Sequence, residues 1–215
     1  MSTAMIFSQL AAGMLKSISI FCWTLLFSLP LGMLIAFGRM SKNPVIRGLV
    51  KIYISVMRGT PLMLQLMVVF YGPFYLWEAN ISGYRYPAII IAFSINYAAY
   101  FGEIYRSGIE SMPVGQYEAA EILGYRPAQT FVHIILPQVI KRVLPALTNE
   151  LVTLVKDTSL AFSLAYMEMF TIAKQIAAKE TTFIPFVVAG IFYFIFNFVV
   201  AAGMEWVEKR FGYYR

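Results

Sequence analysis

Five stretches of this chain are apolar for about the 20 residues that a helix needs to cross a bilayer, at roughly 18–37, 52–77, 87–109, 144–166 and 184–206. That pattern constrains the fold more than any other. Backbone polar groups in hydrocarbon must be satisfied within their own segment, so such stretches fold as helices. Composition agrees: 60% of the 215 residues are hydrophobic and 13% are charged, against about 25% charged in soluble domains. The expectation is an all-α membrane protein, one transmembrane domain over 1–215, held by lipid on its outer surface.

Charge distribution orients the spans. Arg39, Lys42, Arg47 and Lys51 follow the first, Arg106, Arg126, Lys141 and Arg142 lie between the third and fourth, and Lys209, Arg210 and Arg215 follow the fifth. The alternate sides hold Lys16, Arg85, Lys174 and Lys179. Basic residues favour the cytoplasmic side, so the N-terminus is expected outside and the C-terminus inside. The net charge of +6 thus reflects membrane orientation, and no nucleic-acid partner is called for. Trp77 and Trp206 sit at span ends, as an interfacial belt would have them. The leading residues lack a basic start followed by an apolar core, so they read as an interfacial helix entering the first span rather than a cleaved signal. Pro30 with Gly32, and Pro73 after Gly72, are candidate kinks. The single cysteine, Cys22, can form no internal disulfide.

One segment is polar among these spans. Between 113 and 137, Pro113 can start a helix, good helix formers follow, and Gly124 and Pro127 stop it. Ala119, Ala120 and Leu123 lie three and four apart and form a small apolar face flanked by Glu118 and Glu121. The orientation rule puts this segment in the cytoplasm, where it is either an amphipathic connector or a docking element for a soluble partner.

The spacing E-A-A, three residues, G, nine residues, I-x-L-P fits Glu118, Ala119, Ala120, Gly124, Ile134, Leu136 and Pro137 without a gap. It resembles the signature loop of permease subunits in bacterial ABC importers. Arg58-Gly59-Thr60-Pro61-Leu62, the run from Tyr100 to Ile109, and Lys156-Asp157-Thr158-Ser159-Leu160 are similar to segments of the polar amino acid permeases. The resemblance covers nearly the whole chain. It implies the type I importer fold, the bacterial inner membrane, and a coupling helix (Glu118, Ala119, Ala120, Glu121 and Gly124) seated on a cytoplasmic ABC ATPase dimer. It also implies a second permease subunit, identical or related, and an external amino-acid-binding protein. The chain has no G-x-x-x-x-G-K-[ST] loop, so ATP and Mg would be bound by the ATPase partner, and this chain is not itself an enzyme.

Polar residues within spans are costly and are candidates for the substrate path. Asn96, Tyr100, Glu103 and Ser107 recur at four, three and four and share a helix face. Glu150 and Asp157 are a heptad apart, as are Asn149, Lys156 and Ser163, and Arg58 and Gln65. Counting rise from the span ends puts Gln65, Asn96, Lys156 and Asp157 near mid-depth, with Glu103 and Arg58 nearer the cytoplasm. A zwitterionic amino acid needs donors and acceptors together. Gln65, Asn96, Tyr100, Thr158, Ser159 and Ser163 offer both, while Asp157 and Glu103 would suit a cationic side chain. Internal pairs Lys156–Asp157 and Glu103–Arg106 are the competing expectation. His133 has no partner for catalysis or metal binding. The expected function is uptake of polar amino acids by alternating access, with basic ones (arginine, lysine or histidine) among the candidates. A permease for glutamine or another amino acid is the nearest alternative, and an ATP-independent carrier or channel, or a membrane scaffold, belongs to a different class.

Overall fold

The computed structural model describes residues 2–210, so Arg215, counted above for orientation, lies outside the described residues. The described residues are helical throughout, without strands. α1 (Thr3–Arg39) is one unbroken helix of 37 residues. At 1.5 Å per residue it is about 56 Å long, well beyond the hydrocarbon thickness of about 30 Å. The expected interfacial helix and first span are therefore one rod, and Pro30 passes within it without ending it.

The second expected span is not a continuous helix. α2 (Pro44–Gly59) and α3 (Leu62–Trp77) meet at an angle of 110°. The cause is local. Pro61 disfavours the helical region for the residue before it, and Thr60 is extended at φ −123° and ψ 148°. Pro73, the residue the sequence marked for a kink, lies inside α3 near its end. The break thus belongs to Pro61.

α4 (Arg85–Glu110) matches the third expected span and forms the centre of the molecule. Phe93 and Phe101 are fully buried, with Tyr97 between them at 2% exposure. α4 packs on α1, α2, α3 and α7. Its contact with α1 depends on two glycines. A Cβ on Gly32 would fall 2.7 Å from Phe101 Cβ, and one on Gly102 would fall 2.6 Å from Ile35 Cγ2. Small residues let membrane helices approach this closely, where packing rather than water exclusion drives association.

α5 (Val114–Ile122) and α6 (Pro127–Thr130) form the polar segment. A π-helical turn (Phe131–Ile135) leads straight into α7 (Leu136–Asp157), which tightens to a 3₁₀ turn over Thr158–Leu164. The fourth span therefore starts earlier than the expected 144. Ala165 ends it in the left-handed region at φ 50°.

α8 (Met169–Glu180) fills the stretch between the fourth and fifth expected spans, and α9 (Ile184–Arg210) follows. Glu168, fully buried, starts α8 by accepting from the backbone of Phe170 at 2.8 Å and Thr171 at 2.7 Å, and from the hydroxyls of Thr171 at 2.8 Å and Ser17 at 3.2 Å. A lone carboxylate in an apolar neighbourhood reads as an interruption in sequence, yet here it is the N-cap. By length and composition four helices can cross a membrane, or five if the bent α2–α3 pair is one span.

Candidate functional site

Two cavities adjoin along the face between α4 and α7. The first, of about 310 Å³, lies beside the α2–α3 break and is lined by Thr60, Asn96, Tyr97, Tyr100, Glu150, Thr153 and Asp157, among others. The second, of about 470 Å³, is lined by Arg58, Tyr100, Glu103, Arg106, Ser107 and Glu150, and reaches the end of α4 at Ser111. Tyr100 and Glu150 border both. The helical spacing of Asn96, Tyr100, Glu103 and Ser107 thus becomes a continuous polar wall, with the heptad Glu150–Asp157 facing it.

The acidic groups differ in state. Glu103 is held by Arg106 at 2.7 and 3.1 Å and lies 3.9 Å from Arg39. It is an internal ion pair, as the spacing to Arg106 allowed. Asp157 accepts a hydrogen bond from the Tyr97 hydroxyl at 2.8 Å. No Lys156–Asp157 ion pair is present among the described residues, so that alternative is replaced by a neutral donor. Glu150, half-buried, makes no hydrogen bond or ion pair among the described residues while lining both cavities. Its heptad relation to Asp157 was the signal for it, although it was absent from the expected site. The Arg58 guanidinium lies over the Tyr100 ring, 5.1 Å from its centroid, a cation–π arrangement at the wall between the cavities.

Gln65 and Asn96 are drawn together by the break. Both amides donate to the carbonyl of Met57 at 3.0 Å, Asn96 also donates to Gln65 Oε1 at 2.9 Å, and Gln65 Nε2 lies 2.8 Å from Thr60 Oγ1. The last carbonyls of a helix lack intrahelical partners. These amides supply them for α2, and the Tyr53 hydroxyl adds a bond to the carbonyl of Ile95. Asn96 also borders the cavity, whereas Gln65 stands behind it.

The remaining expected hydroxyls are not gathered on this wall. Thr158 and Ser159 each donate at 2.8 Å to a carbonyl at the end of α7, those of Val155 and Lys156. The Ser163 hydroxyl is buried without a hydrogen-bond partner among the described residues. His133 Nδ1 lies 3.0 Å from the carbonyl of Gln129 one turn earlier. No cluster of metal-ligating side chains occurs among the described residues.

The second candidate element is α5. Glu118, Ala119 and Glu121 are exposed, and Ala120 is buried at 1% exposure. The small apolar face drawn from sequence is therefore divided: Ala120 packs inward, and Ala119 and Leu123 face out. Ile122 and Leu123 are 86% and 73% exposed, which makes an apolar knob at the tip of the loop. Gly124 closes the helix at φ 77°, a left-handed cap that glycine adopts without strain, with Tyr125 N donating to the carbonyl of Ala120 at 3.0 Å.

Comparison with known proteins identifies the family and the fold. The family described as binding-protein-dependent transport system inner membrane component matches residues 28–213. The L-cystine transport system permease protein of Bacillus subtilis is 34% identical over 204 residues, covering 94% of this chain and 86% of that protein. A putative glutamine transport system permease protein of Rickettsia conorii is 36% identical over 187 residues, covering 86% and 84%. Among solved structures, an amino acid ABC transporter with histidines superposes with a TM-score of 0.85 at 28% identity, covering 94% of each chain. The MetNI methionine ABC transporter, in inward-facing conformations, shares the fold with a TM-score of 0.75 at 15% identity over 98% of this chain and 99% of that one. The chain belongs to the binding-protein-dependent transport system inner membrane components, multi-pass inner-membrane permease subunits of ABC importers.

Proposed function

We propose that this chain is the permease subunit of an importer for polar amino acids, with cationic amino acids as its substrates. The observation that carries the reading is the polar wall between α4 and α7, in which Glu150, with no ion pair among the described residues, and Asp157 border one cavity with Asn96 and Tyr100. Glu103 is neutralised by arginine, so the charge open to a substrate comes from Glu150 and Asp157. A cationic side chain entering such a cavity exchanges its hydration for two carboxylates. Asn96 and Tyr100 supply the donors and acceptors for the zwitterionic end. Gln65 supports Asn96 from behind, and Thr158, Ser159 and Ser163 shape the tight turn after Asp157.

In this reading the N-terminus is outside and the C-terminus inside, because the loops rich in Arg and Lys then face the cytoplasm. The α5 loop docks through Glu118, Ala119, Glu121, Ile122 and Leu123 on a cytoplasmic ATPase dimer that binds ATP and Mg. A second permease copy, or a related permease, closes the path beside the polar wall, and an external binding protein delivers the amino acid. Nucleotide-driven closure is transmitted as a rigid-body switch between two packed arrangements. Neutral substrates are the second reading, supported by relatives named for cystine and glutamine transport.

The test is reconstitution with the neighbouring ATPase and binding protein, followed by ATP-dependent uptake with a panel of amino acids. Competition by arginine, lysine or histidine above glutamine and cystine is the expected result. A preference for glutamine or cystine establishes the second reading. Uptake driven by an ion gradient without ATP would refute both.

A further inference from the structure

We infer that Arg142 is a positioning residue that ties movement of the α5 loop to α7, the helix that carries Glu150 and Asp157. The inference rests on α5 being the ATPase-docking element. Arg142 Nη1 donates to the carbonyl of Ser111 at 2.6 Å and lies 3.0 Å from its hydroxyl. Ser111 is the C-cap of α4, and its own hydroxyl donates to the carbonyl of Gly108 at 2.7 Å. Only Met112 and Pro113 separate Ser111 from the first residue of α5. A single guanidinium on α7 thus grips the junction at which α4 ends and the docking loop begins.

The placement is unusual for an arginine. It lines a cavity shared with Glu103 and Glu150, yet it forms no ion pair among the described residues. Its bonds go to the carbonyl end of a helix, where positive charge is favoured by the helix dipole and where charge-assisted bonds are the strong kind. The neighbouring residue reinforces the grip. A Cβ on Gly108 would fall 2.3 Å from Val143 Cγ1, so the α4 backbone lies directly against the Val143 side chain of α7, beside Arg142.

The rest of the α5 loop is lightly held. It packs chiefly on α6 and the π-helical turn, and among the described residues its one other side-chain hydrogen bond to α7 is the long contact of 3.4 Å between Gln116 and Gln138. From Arg142, Glu150 lies about 12 Å along α7 and Asp157 about 22 Å, at 1.5 Å per residue. Pro145 falls between Arg142 and Glu150, and α7 runs through it unbroken. A displacement of the α4–α5 junction therefore reaches both carboxylates through one stiff element.

The experiment compares Arg142→Gln and Arg142→Lys in the complete transporter reconstituted in proteoliposomes. Complex yield, thermal stability, uptake and ATP hydrolysis are measured on the same preparations. The expected result for Arg142→Gln is normal assembly with the uptake-to-hydrolysis ratio lowered about 5- to 150-fold, the range of a coupling free energy between sites. Arg142→Lys, which keeps a charged donor, should recover part of the ratio. A wild-type ratio in an assembled Arg142→Gln transporter overturns the inference. So does an Arg142→Gln chain that fails to fold alongside an Arg142→Lys chain with a wild-type ratio, because Arg142 is then structural only. If the wild-type chain itself does not associate with an ATPase, the fault lies in the functional reading and not in Arg142.

Discussion

The Asn96 side-chain amide donates to Gln65 Oε1 at 2.9 Å, and the two residues together cap the end of α2. Their nitrogens both reach the carbonyl of Met57. The break that opens the first cavity therefore depends on two amides 31 residues apart. Replacing Gln65 by Leu keeps the volume but leaves the orphan carbonyl with half its partners. A lost hydrogen bond of this kind costs about 0.5–1.5 kcal/mol net. The expected outcome is a lower unfolding temperature in detergent together with reduced uptake, and unchanged stability would show that the amides do not hold the bend.

Gly102→Ala and Gly190→Ala should move stability in opposite directions. At Gly102 the new methyl meets Ile35 Cγ2 at 2.6 Å and Cβ at 2.9 Å, so α1 and α4 must separate. Overpacking of this kind costs about 1–3 kcal/mol. At Gly190, on α9, nothing lies within 4 Å, and the gain in helix propensity is up to about 1 kcal/mol. Thermal unfolding of the two variants side by side is the measurement.

Glu168→Ala should be among the most damaging substitutions outside the cavities. It removes the N-cap of α8 and leaves the amides of Phe170 and Thr171 and the hydroxyl of Ser17 without their acceptor. Cap loss and unsatisfied donors together amount to about 3 kcal/mol. Glu168→Gln keeps one oxygen and should lose less. The comparison is read from unfolding temperature and from the yield of monodisperse protein.

Much of the fold was legible because span length, charge asymmetry and loop spacing report physics that acts locally. The third and fifth spans and the α5 helix, with Gly124 at its end, follow from such local terms. The bend within the second span was not legible because hydropathy averages over Thr60-Pro61, where one disfavoured backbone region breaks the helix inside an apolar window. α8 was missed because its cap, Glu168, is satisfied by Ser17 on α1 and by the Tyr193 hydroxyl on α9. Those partners are far away in sequence. The candidate site was half legible for the same reason. Helical spacing grouped Asn96, Tyr100 and Glu103 correctly on one wall, but only tertiary packing pairs Asp157 with Tyr97 and leaves Glu150 open.

Asp157→Asn should weaken cationic substrates selectively. The amide keeps a hydrogen-bond acceptor for Tyr97 while removing the negative charge from the cavity. Losing one partner of a desolvated charge pair costs about 2 kcal/mol or more. Arginine uptake should therefore fall at least about tenfold relative to glutamine uptake. Equal loss for both substrates would show that Asp157 does not read side-chain charge, and Glu150→Gln then becomes the informative variant.

Gly124→Val should uncouple the transporter without disturbing the membrane bundle. Glycine tolerates φ 77° and a β-branched residue does not. The cap formed by Tyr125 N on the carbonyl of Ala120 would be lost, and with it the angle at which Ile122 and Leu123 project. Those two side chains are the most exposed apolar surface of the loop, so in the proposed docking their aim would decide how the ATPase meets it. Strain at such a position costs of order 1–3 kcal/mol, and it falls on a loop that packs lightly. Bundle unfolding should stay near the wild-type temperature while the amount of ATPase co-purified with the permease drops sharply. An Ile122→Glu variant separates the two contributions, because it leaves the cap intact and removes only the apolar contact. If ATPase recovery is normal in both variants, α5 is not the docking element.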